Sequence, residues 1–194
     1  MGNVLLSFLI VATMQNLVLN AGFDASIMIS MTRHPHRLLR YSTILLIFTV
    51  ATAALFHPID QLLPVTWWYH TLRPLIVVGI TCVLYVLALV ILHFFPSLKR
   101  RMRHMLPLAV FNNTVVGVSL LLNLQVAVSF WLSISLAIGA AIGFLAISAI
   151  TAEAVERMDN PDIPAAFRGL PATLVYMGLL ALALMGFQSV LKFT

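Results

Sequence analysis

Six apolar runs bounded by polar clusters, at about residues 3–23, 40–56, 72–95, 105–124, 126–152 and 171–191, dominate the chain. A helix needs about 17–25 apolar residues to cross the hydrocarbon core of a bilayer, and each run is at least about that long. The spacing predicts an all-α integral membrane protein with six transmembrane helices. Only 9% of the 194 residues are charged, against about 25% in ordinary soluble domains. Six crossings consume roughly 120 residues, so residues 1–194 read as a single transmembrane domain with short loops. Any soluble catalytic domain then belongs to a partner. The net charge of +5 reads as a topology signal, and nucleic acid is not an expected ligand. The single cysteine, Cys82, excludes an internal disulfide and any cysteine-pair metal site within one copy. In the middle of its span, it is expected to fill the core as a small apolar side chain.

The cations fall unevenly between the two sides. Arg33, Arg37 and Arg40 lie between spans one and two, Lys99, Arg100, Arg101 and Arg103 between three and four, and Arg157 and Arg168 between five and six. The opposite side holds Arg73 and Lys192. Cytoplasmic loops carry the lysine and arginine excess, so nine cations against two predict both termini on the periplasmic side of a bacterial inner membrane. The first span has no lysine or arginine before Arg33, the reverse of a secretory signal, and is read as retained. Trp67, Trp68 and Tyr69 are expected at the outer interface, where aromatic belts sit.

An offset of 97 residues superposes spans one to three on four to six. It lays Gln15-Asn16-Leu17-Val18 over Asn112-Asn113-Thr114-Val115, and Pro74 over Pro171. A three-span unit repeated in tandem is inverted in the bilayer, a recurrent transporter design with its site at the midplane. Repeat one covers about residues 1–97 and repeat two about 98–194. Span one carries Gln15, Asn16, Asn20 and Asp24 around Gly22; span four carries Asn112, Asn113 and Thr114 between Pro107 and Gly117. Both are expected to be broken helices. Polar groups at membrane depth need a protein interior or a wet cavity. Asn16, Asn20, Asp24, Asn112 and Asn113 are therefore candidates for the lining of a central pathway. The plainer alternative is hydrogen bonding between neighbouring helices. Asp24 lies either in that pathway or near the cytoplasmic end of its span.

The remaining polar residues carry weaker signals. His57 and His70 flank the outer loop, and His34, His36, His93 and His104 the cytoplasmic loops. None has a second ligand at helical spacing, whereas zinc needs three or four converging groups; they read as interfacial histidines. The Lys99–Arg103 run could hold anionic lipid head groups, but positive-inside anchoring accounts for it. No Walker loop, His-Glu-x-x-His pair, nucleophile elbow or dinucleotide fingerprint occurs, and no self-contained enzyme is expected.

Pro164-Ala165-Ala166-Phe167-Arg168-Gly169, with Gly178 to Phe187 after it, resembles the membrane subunits of Rnf- and Nqr-type ion-translocating oxidoreductases, and among these the A-type subunit. The likeness continues through Leu72-Arg73, Leu106-Pro107-Leu108, Asn112, Val116-Gly117-Val118, Glu156-Arg157 and, weakly, Gln15 to Leu19. It implies six helices in two inverted three-helix repeats, with broken first and fourth helices and both termini outside. It also implies a complex in which electrons pass through flavin and iron–sulfur centres while cations cross the membrane, and an E-type six-helix partner of opposite orientation.

Members of that family carry one cysteine in each broken helix, and the paired subunits hold an iron–sulfur centre with four thiolates. The matching positions here are Ser26 and Asn113. A hydroxyl stays protonated and a carboxamide is a neutral hard donor, while cluster iron wants soft anionic ligands. No metal is expected on this chain, and flavin and iron–sulfur centres belong to partner subunits. The expected function is that of a membrane subunit in an electron-transport, ion-translocating assembly. The alternative is a carrier of small solutes with the same fold, and a third reading is a subunit that only supports its partner.

Overall fold

The computed structural model describes residues 35–63, 68–96, 102, 104–122, 129–158, 164 and 169–192. Among them the regular structure is helical, with no strand: α1 (Pro35–Leu62), α2 (Tyr69–Phe94), α3 (Met105–Val110), α4 (Asn113–Leu122), α5 (Phe130–Met158) and α6 (Leu170–Lys192). The first predicted span, with Gln15, Asn16, Asn20, Asp24 and Ser26, lies outside the described residues. The other five spans correspond to α1, α2, α3 with α4, α5 and α6.

Among the described residues, three stretches are long and apolar enough to cross a membrane: Arg37–Leu62, Thr71–Phe94 and Phe130–Glu156, of 26, 24 and 27 residues. At about 1.5 Å per residue, each exceeds the roughly 30 Å of hydrocarbon. The second span runs beyond its apolar core of 40–56, because α1 continues through His57, Pro58 and Asp60. His57 and Asp60 both find buried partners, so the helix need not stop where the polar residues begin. Pro58 removes the donor for the carbonyl four residues back, near the C-terminal end of α1.

The core lies between α1 and α5, which pack on each other most extensively, with α2 against α1 and α6 against α5. Ala53 of α1 and Ala137 and Ala140 of α5 are buried there. Small side chains let two membrane helices approach closely, where dispersion replaces the hydrophobic drive that lipid cannot supply. Tyr41, Leu45 and Phe144 fill the other half of the seam, with no exposed area. Four of the buried hydroxyls are satisfied locally, whereas Ser42 Oγ and Thr52 Oγ1 have no partner among the described residues. Thr49 donates to the Leu45 carbonyl, Ser119 to Val115, Ser148 to Phe144 and Thr151 to Ile147, at 2.6–3.0 Å. Such i−4 bonds make serine and threonine tolerable inside a membrane bundle.

The outer faces of α2 and α6 are apolar and exposed, with Leu75, Val83, Val86 and Ile91 on one and Val175, Leu179 and Leu182 on the other. Cys82 is exposed on α2, which corrects the expectation that it fills the core. A helix that is apolar all round carries no periodicity to tell its inward side from its outward one.

Gly169, in the stretch that carries the family likeness, has φ 82°, a region other residues seldom enter. Its carbonyl accepts the Thr173 amide at 3.1 Å and the Thr173 hydroxyl at 3.0 Å, which starts α6 just before Pro171.

Candidate functional site

Two buried polar assemblies flank the core at opposite ends of α1. The first is the break in the fourth span, where α3 ends at Val110 and α4 begins at Asn113. The sequence expectation of an interruption here is met at Phe111 and Asn112. A break exposes backbone groups that lipid cannot satisfy, and Asn112 supplies much of the remedy. Its backbone carbonyl accepts the amides of Val115 and Val116, at 3.1 and 3.4 Å. Its Oδ1 accepts the Thr114 amide at 2.6 Å, so Asn112 is the N-cap of α4. Its Nδ2 donates to the Tyr41 hydroxyl at 2.5 Å, and that hydroxyl donates to the Leu108 carbonyl in α3 at 3.2 Å. Tyr41 thus clamps α1 to both sides of the break.

The structure separates the two asparagines that the sequence reading grouped. Asn112 is 1% exposed, and both ends of its carboxamide are engaged within the protein. Asn113, the first residue of α4, is exposed. Asn16, Asn20 and Asp24 lie outside the described residues.

The second assembly joins α1, α2 and α5 near the end of the bundle where α2 and α5 begin. Asp60 Oδ1 accepts from Arg73 Nε at 3.0 Å, and Asp60 Oδ2 accepts from the Tyr69 hydroxyl at 3.0 Å. Both charged side chains are buried, at 4% exposure for Arg73 and 8% for Asp60. The Arg73 guanidinium also lies over the rings of Phe56 and Tyr69, 5.8 and 5.2 Å from their centroids, where ring quadrupoles attract a cation. Its Nη2 has no hydrogen-bond partner among the described residues. Burial, and next the bond to Asp60, raises the Tyr69 phenol above its ordinary pKa.

One turn away on α1, His57 is buried at 5% exposure. Its Nδ1 lies 3.0 Å from Ser133 Oγ of α5, and its Nε2 3.0 Å from Gln61 Nε2. Phe130 meets the imidazole edge-on, with centroids 5.7 Å apart. His57 was read from sequence as interfacial; here it is buried where α1 meets α5. His93 and His104 are exposed at the opposite end. Asp60, Ser133 and Tyr41 were not singled out by the sequence reading. The available signal was a lone Asp and a lone Arg at the facing ends of consecutive antiparallel spans, where an unpaired charge would be costly.

Trp68 is 53% exposed, as an interfacial aromatic should be, while Tyr69 turns its hydroxyl inward to Asp60; Trp67 lies outside the described residues. Phe130 and Trp131 are exposed at the start of α5, on the same end. Of the loop cations, Arg37 and Arg40 are exposed, and Lys99, Arg100, Arg101 and Arg103 lie outside the described residues.

No three His, Cys, Asp or Glu side chains among the described residues come together as a metal-binding group. At the break, a carboxamide stands at Asn113, and the neighbouring carboxamide is spent on the cap and on Tyr41. Carboxamide donors do not fit an iron–sulfur cluster, which requires thiolates or, in some centres, imidazoles.

Long apolar helices, one of the spans broken at a capped asparagine, with buried polar ties at both ends of the core, define a polytopic helical membrane protein. The chain belongs to the Rnf-Nqr family: the model of that family, described as a membrane protein and Rnf-Nqr subunit, matches residues 4–191. Relatives named as A-type subunits of the ion-translocating oxidoreductase complex are similar to it. The protein from Alcanivorax borkumensis is 40% identical over 97 residues, 50% of each chain. That from Syntrophotalea carbinolica is 42% identical over 92 residues, 47% of each, and that from Vibrio vulnificus 39% over 97, 50% of each. The chain spans about half the length of the curated relatives it matches.

Proposed function

We propose that this chain is an A-type membrane subunit of an electron-transport complex of the bacterial inner membrane, in which electron flow drives a cation across the bilayer. The observation that carries the reading is the interrupted fourth span, capped by Asn112 and presenting Asn113, in a chain matched over residues 4–191 by the Rnf-Nqr family. Residues 1–194 form one transmembrane domain of six spans in two inverted three-span repeats, about 1–97 and 98–194, with the first span broken like the fourth. The pairing of α1 with α5, flanked by α2 and α6, supports this repeat, because the 97-residue offset relates α1 to α5 and α2 to α6.

Asn16, Asn20, Asp24 and Asn113 line the central pathway, and Asn112 holds its wall. Both termini are periplasmic. The count of nine cations against Arg73 and Lys192 supports this orientation. A six-helix E-type subunit of opposite orientation is the partner, embedded with it in lipid. The chain holds no cofactor, since Ser26 and Asn113 replace the thiolates that an iron–sulfur centre would need; flavin and iron–sulfur groups belong to other subunits. That replacement favours a second reading, a carrier of the same fold put to another use.

The test compares native membrane vesicles with and without this chain. Electron-driven cation uptake that disappears on deletion supports the complex. Unchanged uptake, with the chain purifying apart from any flavin- or iron-bearing subunit, favours the carrier.

A further inference from the structure

The hydrogen bonds at the break in the fourth span admit one assignment of donors and acceptors. A backbone amide can only donate, so the carboxamide atom 2.6 Å from the Thr114 amide is Asn112 Oδ1. The other end of the carboxamide is then Nδ2, which also can only donate. The Tyr41 hydroxyl therefore accepts from it and has its own hydrogen left for the Leu108 carbonyl, at 3.2 Å. In an uninterrupted helix that carbonyl would take the amide of the residue four positions on, which is Asn112. The hydroxyl of a residue on α1 thus stands where a helical donor would.

The two residues of the break are anchored to different helices. Asn112 is tied to Tyr41 of α1, and the Phe111 ring meets that of Tyr85 of α2, with centroids 5.3 Å apart. Asn113 follows directly, between the Asn112 carboxamide and the Thr114 amide that it caps. A side chain so bracketed takes its direction from its neighbours. Tyr41 has no exposed area and Asn112 only 1%, whereas Asn113 is exposed. The buried pair can therefore act on a passing ion only through Asn113.

We propose that Tyr41 is a positioning residue for the cation pathway: it keeps the fourth span open at Asn112 and so sets the direction of the Asn113 carboxamide. The proposal deepens the translocation reading and rests on it, including the place of Asn113 in the pathway. Without the Tyr41 hydroxyl, the ordinary donor for the Leu108 carbonyl is the Asn112 amide, and that bond winds α3 on into α4. Each residue of a helix turns the next by about 100°, so winding through the break swings Asn113 away while the bundle stays folded.

The experiment uses native membrane vesicles holding the full chain with its partners. Electron-driven uptake is followed against cation concentration, with radioactive sodium and, for protons, a pH-sensitive dye. Tyr41→Phe keeps the ring and should raise the half-saturating concentration of the cation taken up by about fivefold, the equivalent of one lost hydrogen bond. Maximal uptake should hardly change. In the double variant Tyr41→Phe with Asn113→Ala, the half-saturating concentration should equal that of Asn113→Ala alone, because Tyr41 acts through that carboxamide. Asn112→Leu removes the cap and favours winding by a second route. It should raise the half-saturating concentration at least as far, and it tests the proposal even if Tyr41→Phe does not assemble. Hydrogen exchange at the amides of residues 112 and 113 should slow in both single variants, as these residues join the helix. Faster exchange throughout the fourth span, an unmoved half-saturating concentration, or effects of Tyr41→Phe and Asn113→Ala that multiply as for independent sites would each overturn the proposal and leave the translocation reading standing. No electron-driven uptake of sodium or protons by unmodified vesicles overturns that reading and the proposal with it.

Discussion

The two polar assemblies at either end of α1 solve the same problem with different chemistry. At the break, Tyr41, Asn112 and Thr114 satisfy exposed backbone with neutral groups only. At the other end, Asp60, Arg73 and Tyr69 bury a full ion pair. Neutral hydrogen bonds carry a modest desolvation penalty and suit a break inside the bilayer. Charges removed from water carry one of several kcal/mol each, about offset when both partners are present. The charged tie accordingly sits beside the loop between α1 and α2, within reach of the interface. Its stability depends on completeness, because each charge is tolerable only while the other remains.

The largest predicted effects break that completeness. Asp60→Ala or Arg73→Ala should each cost about 3–5 kcal/mol, the penalty for a buried charge left without its partner. The double change Asp60→Leu with Arg73→Met should cost clearly less than either single change. Thermal unfolding of the purified membrane assembly measures all three. Equal losses in single and double variants would mean that the residues act independently and that the contrast with the neutral end is misdrawn.

The neutral end should respond more mildly. Asn112→Ala strands the Thr114 amide and removes the donor to Tyr41, for about 1–3 kcal/mol. Tyr41→Phe leaves the cap intact but unpairs both the Leu108 carbonyl and Asn112 Nδ2, for about 1–2 kcal/mol. Should Tyr41→Phe prove the costlier of the two, the clamp rather than the cap would hold the break.

How much of this was legible in the sequence follows from the same contrast. The spans of α1 to α6 were, because apolar length is a one-dimensional property, and so was the break, because Asn112 and Asn113 interrupt an apolar run next to Pro107. The roles of the two asparagines were not: adjacent residues point about 100° apart on a helix, and which one turned inward depended on Tyr41, 71 positions away. Asp60 and Arg73 were readable only as isolated charges, since their pairing arises when α2 folds back on α1. Cys82 was misplaced because nothing in an all-apolar helix marks its inner side.

A pH test sharpens the charged end further. The Tyr69 phenol, raised above its ordinary value of 10.0 by burial and by its bond to Asp60, supports the folded state as a neutral donor. A raised folded-state value means that this support is complete below the unfolded-state value, near pH 10, and is lost as the pH rises through the folded-state value. Ultraviolet phenolate titration should therefore show one tyrosine lagging the others above about pH 10. That component should vanish in Tyr69→Phe, and acidification below neutrality should leave the Tyr69 contribution unchanged.

The smallest effect on stability is expected at Asn113, and there it separates the two ends by function. Asn113 is exposed at the start of α4, so Asn113→Ala should change stability by no more than about 0.5 kcal/mol, as for surface substitutions generally. A residue that lines the pathway must nonetheless matter to passage, because its carboxamide replaces part of the hydration that a moving cation gives up. The expected result is therefore a split: unfolding temperature and assembly as in the unmodified protein, with electron-driven cation uptake clearly reduced. Asn113→Ser, which keeps a polar oxygen, should recover part of that uptake. If Asn113→Ala left both quantities unchanged, Asn113 would drop out of the pathway, and the break would be a structural joint like the ion pair at the other end.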